Sequence, residues 1–280
     1  MKKIFFTLIA FLSFNTYADE QHPTSGNDCG EHCSWKIEEG VLTVTGYGDM
    51  KNYNDICSQT CYVDTPWYWD RENITKVVIE NEEGTSGFIS IGKAAFARMN
   101  YTEAVLPEGL KKIGKQSFMV GNLEKINFPD SIEEIGRSAF ISSKISELNL
   151  PSSLKKLEDN AFASTPVHTI VVPENITEID PQAFYCPDCA STQAGLAMPL
   201  EKLYCTKAQM TQCEAAITWF GDNVKILEYK RFGDSFYVDG KFYQHPNDIL
   251  SDNHILKRIY TIDEANTVAG KVNSVKIRYR

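Results

Sequence analysis

Apolar residues return along this chain with a fixed beat. A phrase close to Ile-Gly-x-x-Ala-Phe occurs five times at a spacing of 22, at residues 91–96, 113–118, 135–140, 157–162 and 179–184. Pro107, Pro129, Pro151 and Pro173 keep the same spacing. Ahead of the phrases runs a second pattern, loosely Leu-x-x-Ile-x-Phe, at residues 74–79, 101–106, 123–128, 145–150, 167–172 and 200–205. Its first, fourth and sixth positions are apolar, so each copy is predicted to be a short strand of a parallel sheet with those positions turned to the core. The proline after four of the six copies can neither donate to a ladder nor extend it, and should end the strand. Self-similarity at 20 to 30 residues marks a solenoid, whose units bury their apolar sides only by stacking on one another. The predicted fold is an α/β-type repeat solenoid with parallel strands and one broad side face.

The same pattern predicts detail. Phe96, Phe118, Phe140, Phe162 and Phe184 should form one aromatic spine. Gly92, Gly114 and Gly136 sit where the backbone needs a positive φ or a close approach. Glu158 and Asp180 replace that glycine, so their turns should be strained or differently shaped. Two insertions break the period, about five residues within 80–90 and eleven across 185–199.

Outside the repeats, residues 34–37 and 41–45 flank Glu39-Gly40 and predict a hairpin at the start of the rod. It should cover an end that would otherwise expose core and strand edge. Thr206 and Gln209 form a capping-box pair ahead of a helical pattern over 208–220, and residues 224–229 read as a last strand. Residues 236–238, Asp239-Gly240 and 241–243 give another hairpin signal. Thr261 and Glu264 make a second capping box before Gly270, and residues 274–280 form a basic final strand. The expected organisation is therefore a signal peptide (1–18), a leader and N-terminal cap (19–73), the solenoid (74–206), a helix-and-strand C-terminal cap (207–232) and a small α+β unit (233–280).

Lys2 and Lys3 precede an apolar run over 4–14, and Thr16 and Ala18 supply the small residues read by a signal peptidase. Cleavage is expected after Ala18, and the apolar run is too short for a comfortable membrane span. No transmembrane segment is expected in the mature chain, and no Cys follows the cut to carry a lipid. Losing both lysines moves the formal charge from −9 to −11. Nine Lys/Arg against seven Asp/Glu in 228–280 then leave −13 on 19–227. So acidic a body argues against nucleic acid as a partner. An exported address, periplasmic, secreted or on the cell surface, is the expectation.

Eight cysteines fall in close pairs: Cys29/Cys33, Cys57/Cys61, Cys186/Cys189 and Cys205/Cys213. In an exported chain disulfides come first, although eight cysteines allow 105 pairings. A zinc site from Cys29, Cys33, Cys57 and Cys61 would need four thiolates kept reduced. A redox role for Cys186 and Cys189 would need a helix N-terminus in a thioredoxin-like setting.

The phrases LEKINFPDSIEEIGRSAF (123–140) and ISELNLPSSLKKLEDNAF (145–162) resemble the BspA-type leucine-rich repeat of bacterial surface proteins. The resemblance spans roughly residues 29–229, about 200 in all. The segment holding Cys29-Gly30, Trp35, Gly46, Gly48 and Pro66-Trp67 resembles the cap that often precedes such repeats. The family resemblance implies a secreted or surface-attached recognition protein, some members being adhesins, and it brings no catalytic motif.

Chemistry finds little purchase elsewhere. His22, His32, His168, His245 and His254 stand in no catalytic or metal-binding spacing, and no cofactor motif appears, so no enzymatic activity is expected. Trp67, Tyr68 and Trp69 offer either a carbohydrate-stacking platform or the packing of the cap. Along the rod like positions alternate in sign, as in Lys111-Lys112, Glu133-Glu134 and Lys155-Lys156. Stacking at about 5 Å turns that alternation into attraction. What stacking leaves unexplained is the apolar and aromatic character of Val105, Val171 and Tyr204. The expected ligand footprint is therefore Thr169, Val171, Lys202 and Tyr204 with the loop 185–199, and the ligand a protein or glycan. The alternative is a structural spacer of the envelope.

Overall fold

A computed structural model of the protein describes residues 22–58, 60–186, 200–218, 220, 224–232, 235–238, 241–244, 260–261 and 276–277. The signal segment, Cys189, nearly all of the loop 185–199, the Asp239-Gly240 turn and the second capping box at Glu264 lie outside them.

Each coil has three sides, and each side is a ladder between coils. On the first side the hairpin Cys33–Glu38 and Val41–Gly46 turns at Glu39 (φ 50°) and Gly40 (φ 78°). Its second strand runs parallel to Lys76–Asn81, followed by Glu103–Val105 and Lys125–Asn127. On the second side Gly48–Asp49, Phe88–Ile91, Lys112–Ile113, Glu134–Ile135, Lys156–Leu157 and Glu178–Ile179 pair in parallel. Lys112, Glu134 and Lys156 stand on this second ladder, and Lys111, Glu133 and Lys155 immediately precede its strands.

The third side is not helical, so the α/β-type expectation is corrected. Ala94, Gln116, Ser138 and Asn160 (φ 55–59°), and four residues later Arg98, Val120, Ser142 and Ser164 (φ 51–58°), are left-handed. An L-residue in that conformation cannot continue a right-handed helix. This backbone instead points every second N–H group at the next coil: Ala94 donates to Lys115 O (3.0 Å), Phe96 to Ser117 O (2.8 Å) and Arg98 to Met119 O (2.9 Å). Ser138, Phe140 and Ser142 repeat this two coils along at 2.8–2.9 Å. Backbone polar groups beside the core are thereby paired without a helix.

Inside lies the aromatic spine. Ring centroids step 5.4, 5.1, 5.0 and 6.3 Å from Phe96 through Phe118, Phe140 and Phe162 to Phe184, all stacked. Each buried Phe contributes about 1.5–3 kcal/mol by transfer. Trp67, fully buried, adds a rung 5.6 Å from Phe96 and donates its indole N–H to Ala95 O (2.9 Å). It is therefore packing, and not a platform for sugar.

Gly92, Gly114 and Gly136 serve close approach, not positive φ. A Cβ there would lie 1.8 Å from Lys51 O, 2.4 Å from Ile91 O and 2.9 Å from Ile113 O respectively. The approach loosens toward the C-terminal end, which explains why Glu158 is accommodated. Its N–H donates to Ile135 O at 3.0 Å, as that of Gly136 does to Ile113 O at 2.9 Å, so no different backbone bond is made there. Asp180 keeps the bond too, to Leu157 O at 2.9 Å, but the left-handed column does not continue to Gln182. Of the two departures, only the turn at Asp180 changes shape.

At the far end a 3-10 turn over Lys207–Gln209, opened by the Thr206/Gln209 capping box, leads into the helix Met210–Ala216. Gln212 on that helix acts as a substitute strand. Its amide oxygen accepts from Ile179 N (3.2 Å) and its amide nitrogen donates to Thr177 O (3.1 Å), closing the edge of the second ladder.

Candidate functional site

The first side is the broad face, and it divides into an open middle and a covered end. Residues 145–150 are expected to be a strand there and are not. Among the described residues no backbone–backbone hydrogen bond involves any of them, so the ladder ends at Lys125–Asn127 and resumes at Thr169–Val171. Ile145 and Leu148 are nonetheless buried. The apolar spacing reports which side chains face inward, and that can be satisfied without pairing the backbone.

Where the ladder lapses, a cleft of about 480 Å³ opens, lined among others by Val105, Lys125, Asn127, Ser146, Glu147 and Asn149. Glu103 and Glu124 also reach it. Glu103 is paired with Lys76 of the preceding strand at 2.7 Å. Val105 is 36% exposed, and Ala104 and Ile126 add to it the apolar part of a mixed floor.

The covered end holds the expected footprint. Thr169 pairs with Lys202 and Val171 with Tyr204 across adjacent parallel strands, so the four residues are neighbours. Val171 and Tyr204, however, are only 5% and 6% exposed. They form one apolar cluster with Tyr229, Phe236, Val238 and Tyr243. The strand Lys225–Phe232 pairs in parallel with Lys202–Cys205 and then antiparallel with Ser235–Val238, which carries the chain's own hairpin over the outer face. Arg231 and Glu174 hold it at 2.8 Å. The expectation of an exposed apolar anchor at Val171 and Tyr204 is thus corrected: they are apolar because the chain itself covers them. The expected boundary at 233 falls inside this hairpin.

The second side is a run of ion pairs. Glu133 sits between Lys111 (3.1 Å) and Lys155 (2.5 Å), Lys112 meets Glu134 (2.8 Å), and Lys156 lies between Glu158 (3.2 Å) and Glu178 (3.7 Å). Hydrogen bonds from Lys155 and Lys111 hold the Glu133 carboxyl below its usual range. Contacts with Glu158 and then Glu178 raise the Lys156 ammonium above its own.

Cys29 and Cys33, Cys57 and Cys61, and Cys205 and Cys213 are joined as disulfides with Cα separations of 5.3, 4.1 and 6.8 Å, and Cys186 is disulfide-bonded as well. A four-thiolate site from the first four cysteines is thereby overturned. Among the described residues no three His, Cys, Asp or Glu side chains converge as metal ligands, and no helix is long and apolar enough to cross a membrane. Trp69 is 58% exposed, with the His22 ring stacked 5.5 Å from it.

Parallel ladders, a stacked Phe column and coil-to-coil ion pairs define a leucine-rich repeat protein. Residues 68–193 match the family model for the BspA type leucine rich repeat region in six copies, so this repeat region is of the BspA type. A leucine-rich repeat protein of Eubacterium ventriosum aligns with 78% of this chain and 49% of its own at 20% identity, with a TM-score of 0.52. The pneumococcal vaccine antigen PcpA aligns over 75% and 53% of the two chains at 17% identity and a TM-score of 0.41. A leucine rich cell surface protein of Faecalibacterium prausnitzii follows at 12% identity, 78% and 59% coverage and a TM-score of 0.25. The chain thus spans about half the length of the first two. No curated protein matches it.

Proposed function

We propose that this is an exported recognition protein that holds a protein partner against the open middle of its broad face. The cleft beside residues 145–150 carries the reading. It combines a rigid floor, an exposed apolar residue at Val105, and the side chains of Asn127, Glu147 and Asn149, which offer donors and acceptors to a partner. Glu124 and Glu147 give it an acidic rim, which suits a partner surface carrying Lys or Arg. The N-terminal signal pattern, the BspA-type repeats and the disulfides support an exported address, because disulfides persist in oxidising surroundings.

The test is site-specific photo-crosslinking. A benzophenone amino acid placed at Asn149 of the full chain is expected to capture one protein from the surroundings of the intact cell. The same group at Glu178, on the second side, should not capture it. Equal capture at both positions, or capture only at Glu178, contradicts the reading.

A further inference from the structure

The three disulfides whose two cysteines are both described differ in one respect that matters for chemistry. Cys29 and Cys33 are 0% and 6% exposed and Cys205 and Cys213 are both fully buried, so no thiol in solution reaches them without opening the fold. Cys57 and Cys61 are both exposed, facing each other across the short antiparallel pair Asp55–Cys57 and Cys61–Val63. That pair lies outside the coils and is held to them by Arg98. The guanidinium donates from Nε to Asp55 Oδ1 at 2.7 Å and from Nη2 to Asp55 Oδ2 at 3.1 Å, and Nη2 also stands 3.7 Å from Cys57 Sγ. Arg98 is itself left-handed, on the third-side ladder, its N–H donated to Met119 O at 2.9 Å. The coil therefore fixes its approach to the sulfur. Ile56 and Tyr62, each 36% exposed, and Trp69 give the same part of the molecule an apolar surface.

Thiol–disulfide exchange is governed by access and by how well the departing sulfur carries charge. A cation beside one sulfur lowers the pKa of its thiol and makes it the better leaving group. In this pair the cation touches Cys57. We propose that Cys57–Cys61 is a thiol-exchange site whose direction Arg98 sets, taking up a partner thiol as a mixed disulfide on Cys61. An incoming thiolate attacks Cys61 Sγ along the S–S axis. Its electron pair forms the new S–S bond as the Cys57–Cys61 bond breaks, and Cys57 leaves as a thiolate stabilised by the guanidinium. No net oxidation occurs, and the return attack of Cys57 on Cys61 expels the partner. Arg98 is a positioning residue in this step. Asp55 opposes it, because its carboxylate offsets the field of the guanidinium and itself stands 4.0 Å from Cys57 Sγ.

The test uses the full oxidised protein with glutathione as the thiol. The mixture is quenched with N-ethylmaleimide and the two cysteines are read separately by peptide mass spectrometry. Glutathione is expected on Cys61 and maleimide on Cys57, with these two labelled at least tenfold faster than Cys29, Cys33, Cys205 and Cys213. Arg98→Gln, checked for an unchanged melt of the coils, should slow exchange and divide glutathione evenly between Cys57 and Cys61. Asp55→Asn, which frees the guanidinium, should speed exchange and keep the adduct on Cys61. Adducts chiefly on Cys57, opening of the buried pairs at the same rate, or an undiminished Cys61 preference in Arg98→Gln would each overturn the proposal.

Discussion

Tyr229 donates its hydroxyl hydrogen to the carbonyl of Val172, 57 residues earlier in the chain, at 2.7 Å. The bond is buried and fastens the C-terminal strand over Val171 and Tyr204. Burial, and after it the nearby Glu174 carboxylate, raise the phenol well above its ordinary pKa, so it remains a donor at pH values where exposed tyrosines ionise. Tyr229→Phe should cost about 1–3 kcal/mol, the usual loss when a buried carbonyl forfeits a donor. Hydrogen exchange should quicken at Thr169–Val171 and Lys202–Cys205 and stay unchanged at Glu103–Val105. Uniform quickening along the rod would show that the covering hairpin is not a local fastening.

Three glycines at like positions make a graded experiment. Gly92→Ala, Gly114→Ala and Gly136→Ala would place a methyl 1.8, 2.4 and 2.9 Å from a carbonyl oxygen of the preceding coil. Overpacking costs about 1–3 kcal/mol or more. The loss in denaturant midpoint should fall in that order, with Gly92→Ala worst. An equal loss at all three would mean that the glycines are there for backbone freedom.

Phe140 stacks on a ring at either side, Phe118 at 5.1 Å and Phe162 at 5.0 Å. Phe140→Ala should cost about 3–5 kcal/mol, measured by urea unfolding. Phe236→Ala, in the outer cluster, should loosen the C-terminal hairpin first and leave the melt of the coils near that of wild type.

The ion-pair side gives a pH dependence whose sign is fixed. Glu133 has its pKa depressed by Lys155 and Lys111 in the folded chain. Its contribution is therefore present above the ordinary carboxylate pKa and is lost as pH falls through the lower folded value. Glu133→Gln should melt earlier than wild type at neutral pH, and the two melting curves should converge in acid. A gap that persists unchanged to low pH would refute the ion pair as its source.

The repeats were legible because their apolar residues obey one rule: a side chain at a given phase is buried in every coil. That rule placed the Phe spine, the same period exposed the charge alternation, and the capping box at Thr206 was legible from its own spacing to Gln209. The rule was silent about the third side, where left-handed Gln116 and Ser138 carry no sequence mark of their conformation. The rule also misjudged the broad face. At 145–150 it reported burial and was read as pairing. At Val171 and Tyr204 it reported apolar residues on an outer face, and their cover comes from Tyr229 and Phe236, which lie outside the repeat. Long-range cover of this kind leaves no periodic signal.

The open face is tested most directly by affinity, once the Asn149 crosslink has delivered its partner. Glu147→Arg combined with Asn149→Arg reverses charge and adds bulk at the cleft, and Glu178→Gln alters the second side alone. The double variant should bind at least tenfold more weakly than wild type, about 1.4 kcal/mol, with an unchanged melt, and Glu178→Gln should bind like wild type. Unaltered affinity in the double variant would contradict the assignment of this face.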